Sequence, residues 1–211
     1  MPWFGPVAKL TWNWSLALSE WWHLRHHPWW HQLRQGLKSE FADLDPHRLV
    51  LNLRGKQHIG SLAYGETSPL SVLQILHSLQ LPPATPIVDL GSGRGVPCLV
   101  AAALGHPCIG LEYFAVYTER AQRIADRWGW PARFRSGNLL HVEIPEAPLY
   151  LVSATAFPEE FREQLLEKLL HLPACQIVAQ DWILPAPFVF ERMQELPVSW
   201  GTAKFCYMRK Q

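Results

Sequence analysis

Between residues 87 and 181, short apolar runs alternate with longer amphipathic stretches. Ile87–Leu90, Cys108–Glu112, 148–153 and 175–181 are brief and rich in apolar side chains, as strands are, and Ala132–Arg135 alternates apolar with charged residues. The stretches 115–128 and 159–171 bring apolar residues round every three or four positions, as helices do, and 96–105 is a helix-compatible apolar run. This alternation predicts an α/β domain: a parallel sheet with helices on both faces. Ligands of such sheets bind beyond the carboxyl ends of the strands. Upstream, Leu70–Leu79 reads as a helix, with Ser68 as its N-cap and Pro69 at its first position. A short strand or hairpin is predicted over Leu49–Gly60. The tail Val198–Met208 alternates polar and apolar positions and predicts a closing strand or hairpin.

Residues 1–48 differ in kind and are read as a helical extension to a domain spanning 49–211. Seven of the 11 tryptophans fall in the first thirty residues: Trp3, Trp12, Trp14, Trp21, Trp22, Trp29 and Trp30. Thr11–His27 and Trp29–Ala42 read as two helices, divided at Pro28. Packing on the domain is the favoured placement, because tryptophan buries so much area. Peripheral contact with a membrane interface, where tryptophan is enriched, is the alternative. His23, His27 and His31 share a helical face, but Pro28 interrupts it and no carboxylate completes it. A polar face is therefore expected, and no metal site.

With 211 residues and 48% hydrophobic composition, the chain is long enough for one cored domain and an extension. A net charge of +1, without a lysine-rich tail, gives no strong pull toward nucleic acid. Cys98, Cys108, Cys175 and Cys206 form no Cys-x-x-Cys pair and read as buried thiols of a reducing compartment. The start lacks a secretory pattern, and no apolar run reaches the ~20 residues that span a bilayer. The expected location is cytoplasmic, with membrane association through the tryptophan-rich helices as the variant reading.

The densest chemistry lies in Ile87-Val88-Asp89-Leu90-Gly91-Ser92-Gly93-Arg94-Gly95. A strand delivers an acid, then a turn with glycines at 91, 93 and 95, then a helix whose free N–H groups face the turn. Dinucleotide-binding turns place their third glycine one residue later and receive a pyrophosphate. Asp89 would repel phosphate but hold an amine. S-adenosylmethionine carries an α-amino group, a sulfonium and no phosphate, and so fits this charge pattern better. Glu112, ending the second strand, suits a ribose diol. After the third strand, Asn138 offers an amide oxygen to an adenine amino group, with Leu139 beside it.

Tyr64-Gly65-Glu66-Thr67, taken with the Asp-Leu-Gly-Ser-Gly turn, resembles the non-SET histone-lysine methyltransferase family, the disruptor-of-telomeric-silencing type. Val198-Ser199-Trp200 is similar to that family's C-terminal Ser-Trp segment. The resemblance covers about 60–211 and implies a Rossmann-like class I methyltransferase with a mostly parallel seven-stranded sheet. It implies that Tyr64, Gly65, Glu66 and Thr67 close over the cofactor's methionine end, above Asp89, Gly91, Ser92, Gly93 and Gly95. It further implies a methyl channel lined by Tyr64, Ser153, Thr155, Phe157 and Tyr207. The chain departs from the family at Val152-Ser153-Ala154-Thr155-Ala156-Phe157, where an asparagine-rich segment is usual, and at Asn138, where an aspartate is usual. The family's nucleosome-binding basic regions are also missing, so a histone substrate is not implied. Asp181, ending the fifth strand, is a candidate base, with a capping or surface acid the blander reading.

Three functions are consistent with these residues. The first is S-adenosylmethionine-dependent methylation of a protein lysine. The second is methylation of an apolar small molecule or lipid. The third is a non-catalytic module that binds the cofactor and docks a partner.

Overall fold

The computed structural model describes residues 6–44 and 65–211. Tyr64, Trp3 and the element expected over Leu49–Gly60 lie outside these residues.

In chain order the elements are α1 (Pro6–Leu24), α2 (Pro28–Phe41), α3 (Pro69–Leu79), β1 (Ile87–Leu90), α4 (Val96–Ala103), β2 (Cys108–Glu112), α5 (Ala115–Trp128) and β3 (Ala132–Ser136). Then follow β4 (Leu149–Val152), α6 (Glu159–Leu169), β5 (Cys175–Gln180), β6 (Phe188–Val198) and β7 (Gly201–Lys210). The seven strands form one sheet in the order β3-β2-β1-β4-β5-β7-β6. β1 to β5 are parallel, and β7 is antiparallel to both β5 and β6. The strand order reverses between β1 and β4, which opens a crevice at their carboxyl ends.

Side-chain alternation divides the core into two layers. Ile87 of β1, Leu151 of β4, Val178 of β5 and Phe205 of β7 pack with α2, α3, α4 and α5 on one face. Val88, Leu90, Tyr150, Ile177 and Met208 pack with α6 on the other. Asp89 shares its face with Ile87, so a carboxylate stands where the strand pattern calls for an apolar side chain.

Local chemistry fixes the element ends. Ser68 Oγ accepts the Leu70 N–H at 3.2 Å, and Pro69 begins α3 as expected. Pro28 opens α2, where its missing N–H costs nothing. Gly129 ends α5 in the left-handed conformation. α2 is fastened to α5 by Glu40, which pairs with Arg123 at 2.8 Å and Arg127 at 2.7 Å.

The tryptophans of the first two helices differ in burial. Trp29 and Trp30 are buried in the core, whereas Trp14, Trp21 and Trp22 are exposed. His31 Nε2 lies 2.7 Å from the Arg25 carbonyl, so it closes the corner between the first two helices.

One element was not foreseen. β6 begins at Phe188, ahead of the predicted tail strand at Val198. It is an edge strand with an exposed outer face, and a register shift between Phe190 and Arg192 breaks the period of two in its sequence.

Candidate active site

The carboxyl ends of β1, β2, β3, β4 and β5 bring most of the predicted residues together. The turn after β1 holds Gly91, Gly93 and Gly95 at φ values of 81°, 53° and 84°, in the left-handed region that glycine enters freely. Gly91 and Ser92 donate their N–H groups to the Leu111 carbonyl at 2.9 and 3.0 Å, which pins the turn against β2.

Glu112 lies directly across. Its carboxylate accepts the Gly93 N–H at 2.9 Å and the Phe114 N–H at 3.1 Å. Those bonds orient the group and leave lone pairs on both oxygens. Burial nevertheless raises its pKa, only partly offset by these backbone donors.

Asp89 is in a harsher position. It is fully buried, and neither carboxylate oxygen has a hydrogen-bond partner. Burial, reinforced by the Glu112 charge and only partly offset by the Cys98 N–H, which lies too poorly aligned for a full hydrogen bond, pushes its pKa up to about 8. Ser92 Oγ is likewise buried without a partner. Orphaned polar atoms of this kind are rare in folded proteins and point to a ligand that completes them.

The Gly65–Ser68 loop is sewn to the β6–β7 turn. Ser199 Oγ accepts the Glu66 N–H at 3.0 Å, and the Ser199 N–H returns to the Glu66 carbonyl at the same distance. Thr67 bridges Val198 in antiparallel fashion. Trp200 covers Gly65 so closely that a Cβ there would overlap its six-membered ring. Glu66 also forms a bidentate pair with Arg94, with Nε to Oε1 at 2.9 Å. The loop is thereby tied to the glycine turn itself. Two motifs paired by resemblance are therefore partners in space.

On the β4 side, the Ser153 N–H donates to the Leu90 carbonyl at 3.2 Å, and Phe157 reaches toward Gly91. Thr155 Oγ1 donates to Asp181 Oδ2 at 2.7 Å. Asp181 Oδ1 accepts the Lys204 N–H at 3.0 Å, so each oxygen of this candidate base has one partner, which fixes its orientation. Asn138 Oδ1 accepts the Leu140 N–H at 2.9 Å and closes its own turn. A second lone pair on that oxygen remains for an adenine amino group. Leu139 is buried in the core beneath it.

Tyr207 is not gathered here. It is buried on β7, donates to Gln194 Oε1 at 3.0 Å and accepts from Ser78 Oγ at 3.3 Å. Ser78 lies in the last turn of α3, the end opposite Thr67, and Arg192 stands 3.6 Å over the Tyr207 ring. Its bonding places it in the packing of the β6–β7 hairpin on α3.

Gln180 was missed. It ends β5 on the Asp89 face, is almost fully buried, and its Nε2 has no partner. Thr67 Oγ1 stands 3.5 Å from its Oε1, at the limit of a hydrogen bond. An unpaired amide beside the crevice could be found only after the strand register was known.

A sequence profile of the family described as Histone methylation protein DOT1 matches residues 50–199. The chain belongs to this family. A Protein-L-isoaspartate O-methyltransferase of Gloeobacter violaceus (strain ATCC 29082 / PCC 7421) is 25% identical over 104 residues, which cover 49% of this chain and 51% of that protein. TrmN from Thermus thermophilus superposes with a TM-score of 0.59 at 19% identity, covering 72% of this chain and 52% of TrmN. An RNA methyltransferase from Salinibacter ruber, solved in complex with S-adenosyl-L-homocysteine, superposes with a TM-score of 0.54 at 22% identity, covering 69% and 93%. The chain thus spans about half the length of the curated relative and of TrmN. The likeness to the solved structures establishes the fold, which is that of the class I S-adenosylmethionine-dependent methyltransferases.

The residues present fit that cofactor. The unpaired Asp89 carboxylate matches its α-ammonium, and Glu112 retains acceptor capacity for a ribose diol. The glycine turn between them offers main chain free of side chains.

Proposed function

We propose that this protein transfers a methyl group from S-adenosylmethionine to the amine of a protein lysine. The observation that carries the cofactor half of this reading is the buried, unpartnered Asp89 carboxylate facing Glu112 across the glycine turn. The family match over residues 50–199 supports the lysine half.

S-adenosylmethionine supplies an electrophilic methyl group on a sulfonium. Asp89 holds the cationic amine, Glu112 orients the ribose, and the Gly65–Ser68 loop closes over the methionine end. This loop needs no separate closure energy, because Ser199, Trp200 and Arg94 already hold it. Ser153, Thr155 and Phe157 form the acceptor side, where a lysine amine would approach opposite the sulfur. The rate comes mostly from alignment. Apolar surroundings at Phe157 and the neighbouring Phe161, whose rings lie 4.8 Å apart, would favour the neutral, nucleophilic amine. No general base is invoked. Asp181 acts instead to lock the β5–β7 junction through Thr155 and Lys204.

The test is transfer of tritiated methyl from S-adenosylmethionine into a lysate separated into protein, lipid and small-molecule fractions. The expected result is label in protein, found as methyl-lysine by mass spectrometry. Label confined to lipid or small molecules would overturn the lysine assignment and leave methyl transfer intact. Cofactor binding without label in any fraction would overturn transfer itself.

A further inference from the structure

α1 has two faces of different character. Trp12, Leu16, Glu20 and Leu24, spaced four apart, turn inward. Trp12 Nε1 donates to the Val198 carbonyl at 2.9 Å, Ser68 Oγ donates to Glu20 Oε1 at 2.7 Å, and Leu24 is fully buried. Trp14, Leu18, Trp21 and Trp22 stand on the opposite side, 72%, 65%, 45% and 61% exposed. Scattered exposed hydrophobics need no explanation, but three tryptophans and a leucine contiguous on one helix do.

The charges around this face narrow the occupant. α1 and α2 together contain two carboxylates, Glu20 and Glu40. Glu20 is turned onto Ser68, and Glu40 is taken by Arg123 and Arg127. The outward groups are cationic or neutral. Arg25 lies 4.9 Å over the Trp21 ring and 4.4 Å over the Trp22 ring, which fixes a guanidinium within the aromatic patch. Tryptophan favours the headgroup level of a bilayer, and arginine beside it attracts anionic headgroups. None of the described helices is long and apolar enough to cross a membrane.

We propose that α1 seats this protein on an anionic lipid surface, lying in the plane of the interface with Trp14, Leu18, Trp21 and Trp22 inserted and Arg25 at the headgroups. A cavity of about 570 Å³ lies on the inner side of α1, between Leu16 and Glu20, the α2 residues Trp30 and Arg34, and the loop residues Glu66 and Thr67. This inference does not depend on the nature of the methyl acceptor.

The experiment is co-sedimentation of the full chain with phosphatidylglycerol vesicles and with phosphatidylcholine vesicles, followed in parallel by tryptophan emission. The expected result is binding to the anionic vesicles with a blue shift, roughly tenfold stronger than to neutral ones and weakened by salt. A Trp14→Ser, Trp22→Ser double variant should lose roughly tenfold or more of that binding while keeping its circular dichroism and Tm, since both side chains are exposed. Absence of wild-type binding to anionic vesicles would overturn the proposal, as would unchanged binding by the double variant. Concentration-dependent dimerisation that disappears in the double variant would overturn it in favour of a second copy covering the face.

Discussion

Asp89→Asn is expected to weaken S-adenosylmethionine binding by roughly a hundredfold or more, the cost of removing one member of a buried charge pair. The same substitution should make the ligand-free protein more stable at neutral pH. The two effects have one cause. The Asp89 carboxyl makes no well-formed hydrogen bond in the folded chain, and burial with Glu112 nearby outweighs the Cys98 N–H and lifts its pKa from 3.8 to about 8. The folded state therefore holds a proton that the unfolded state has released throughout that interval. Where the folded state binds more protons, stability falls as pH rises. Wild-type Tm in the absence of cofactor should thus decline between about pH 5 and about pH 8, and the Asp89→Asn substitution should flatten that decline. Glu112, also raised by burial, leaves a residual slope of the same sign. Thermal melts across this range, with and without cofactor, check both halves. A variant that binds as tightly as wild type would place the amine elsewhere.

The second large effect is expected at Gly95. Its φ of 84° is in the left-handed region, and a Cβ there would sit 2.8 Å from the Phe134 ring and 2.9 Å from Ala121 Cβ. Gly95→Val adds roughly 1–2 kcal/mol for the backbone conformation and roughly 1–3 kcal/mol for overpacking. Because Gly95 joins the turn to α4, through the Leu99 N–H at 2.8 Å, the damage should reach the cofactor site as well. Chemical denaturation should show a loss of roughly 3 kcal/mol. A loss near zero would mean that the turn and the Phe134 ring can move aside freely.

The parts of this molecule visible in its sequence are those set by local pattern. β1, the glycine turn and α4 were legible because an apolar run, an acid and three spaced glycines have few other uses. Helix α5 was legible because its apolar residues recur on one face and Gly129 stops it. Glu112 was legible from its distance to Asp89 and its place at a strand end. What escaped was set by long-range pairing. Glu66 and Ser199 are 133 residues apart, and no periodicity announces their two hydrogen bonds. The resemblance named both segments without pairing them. β6 escaped because an exposed edge strand carries charged and polar residues on both faces. Tyr207 was carried toward the methyl channel by resemblance, but its strand register with Val178 sets it two residues inward from Gln180, under α3. Gln180 was invisible for the complementary reason: a glutamine at a strand end reads as solvated until its burial is known.

The departures from the family pattern fall on both sides of the site: Val152–Phe157 on the acceptor side and Asn138 on the cofactor side. Ser153 stands where an asparagine-rich segment is usual, yet its backbone still joins the site through Leu90. The cofactor side keeps its two acids and its turn.

The central claim is that the Asp89 carboxylate, unpartnered within the protein, meets the cofactor's amine on binding. Its most direct test is calorimetric titration of the wild-type protein with S-adenosylmethionine near pH 6.5, in two buffers of different ionisation enthalpy. Asp89 is then largely protonated before binding and ionised after it, so the account predicts one site and release of about one proton. Binding with no proton release, or no binding at all, would contradict it.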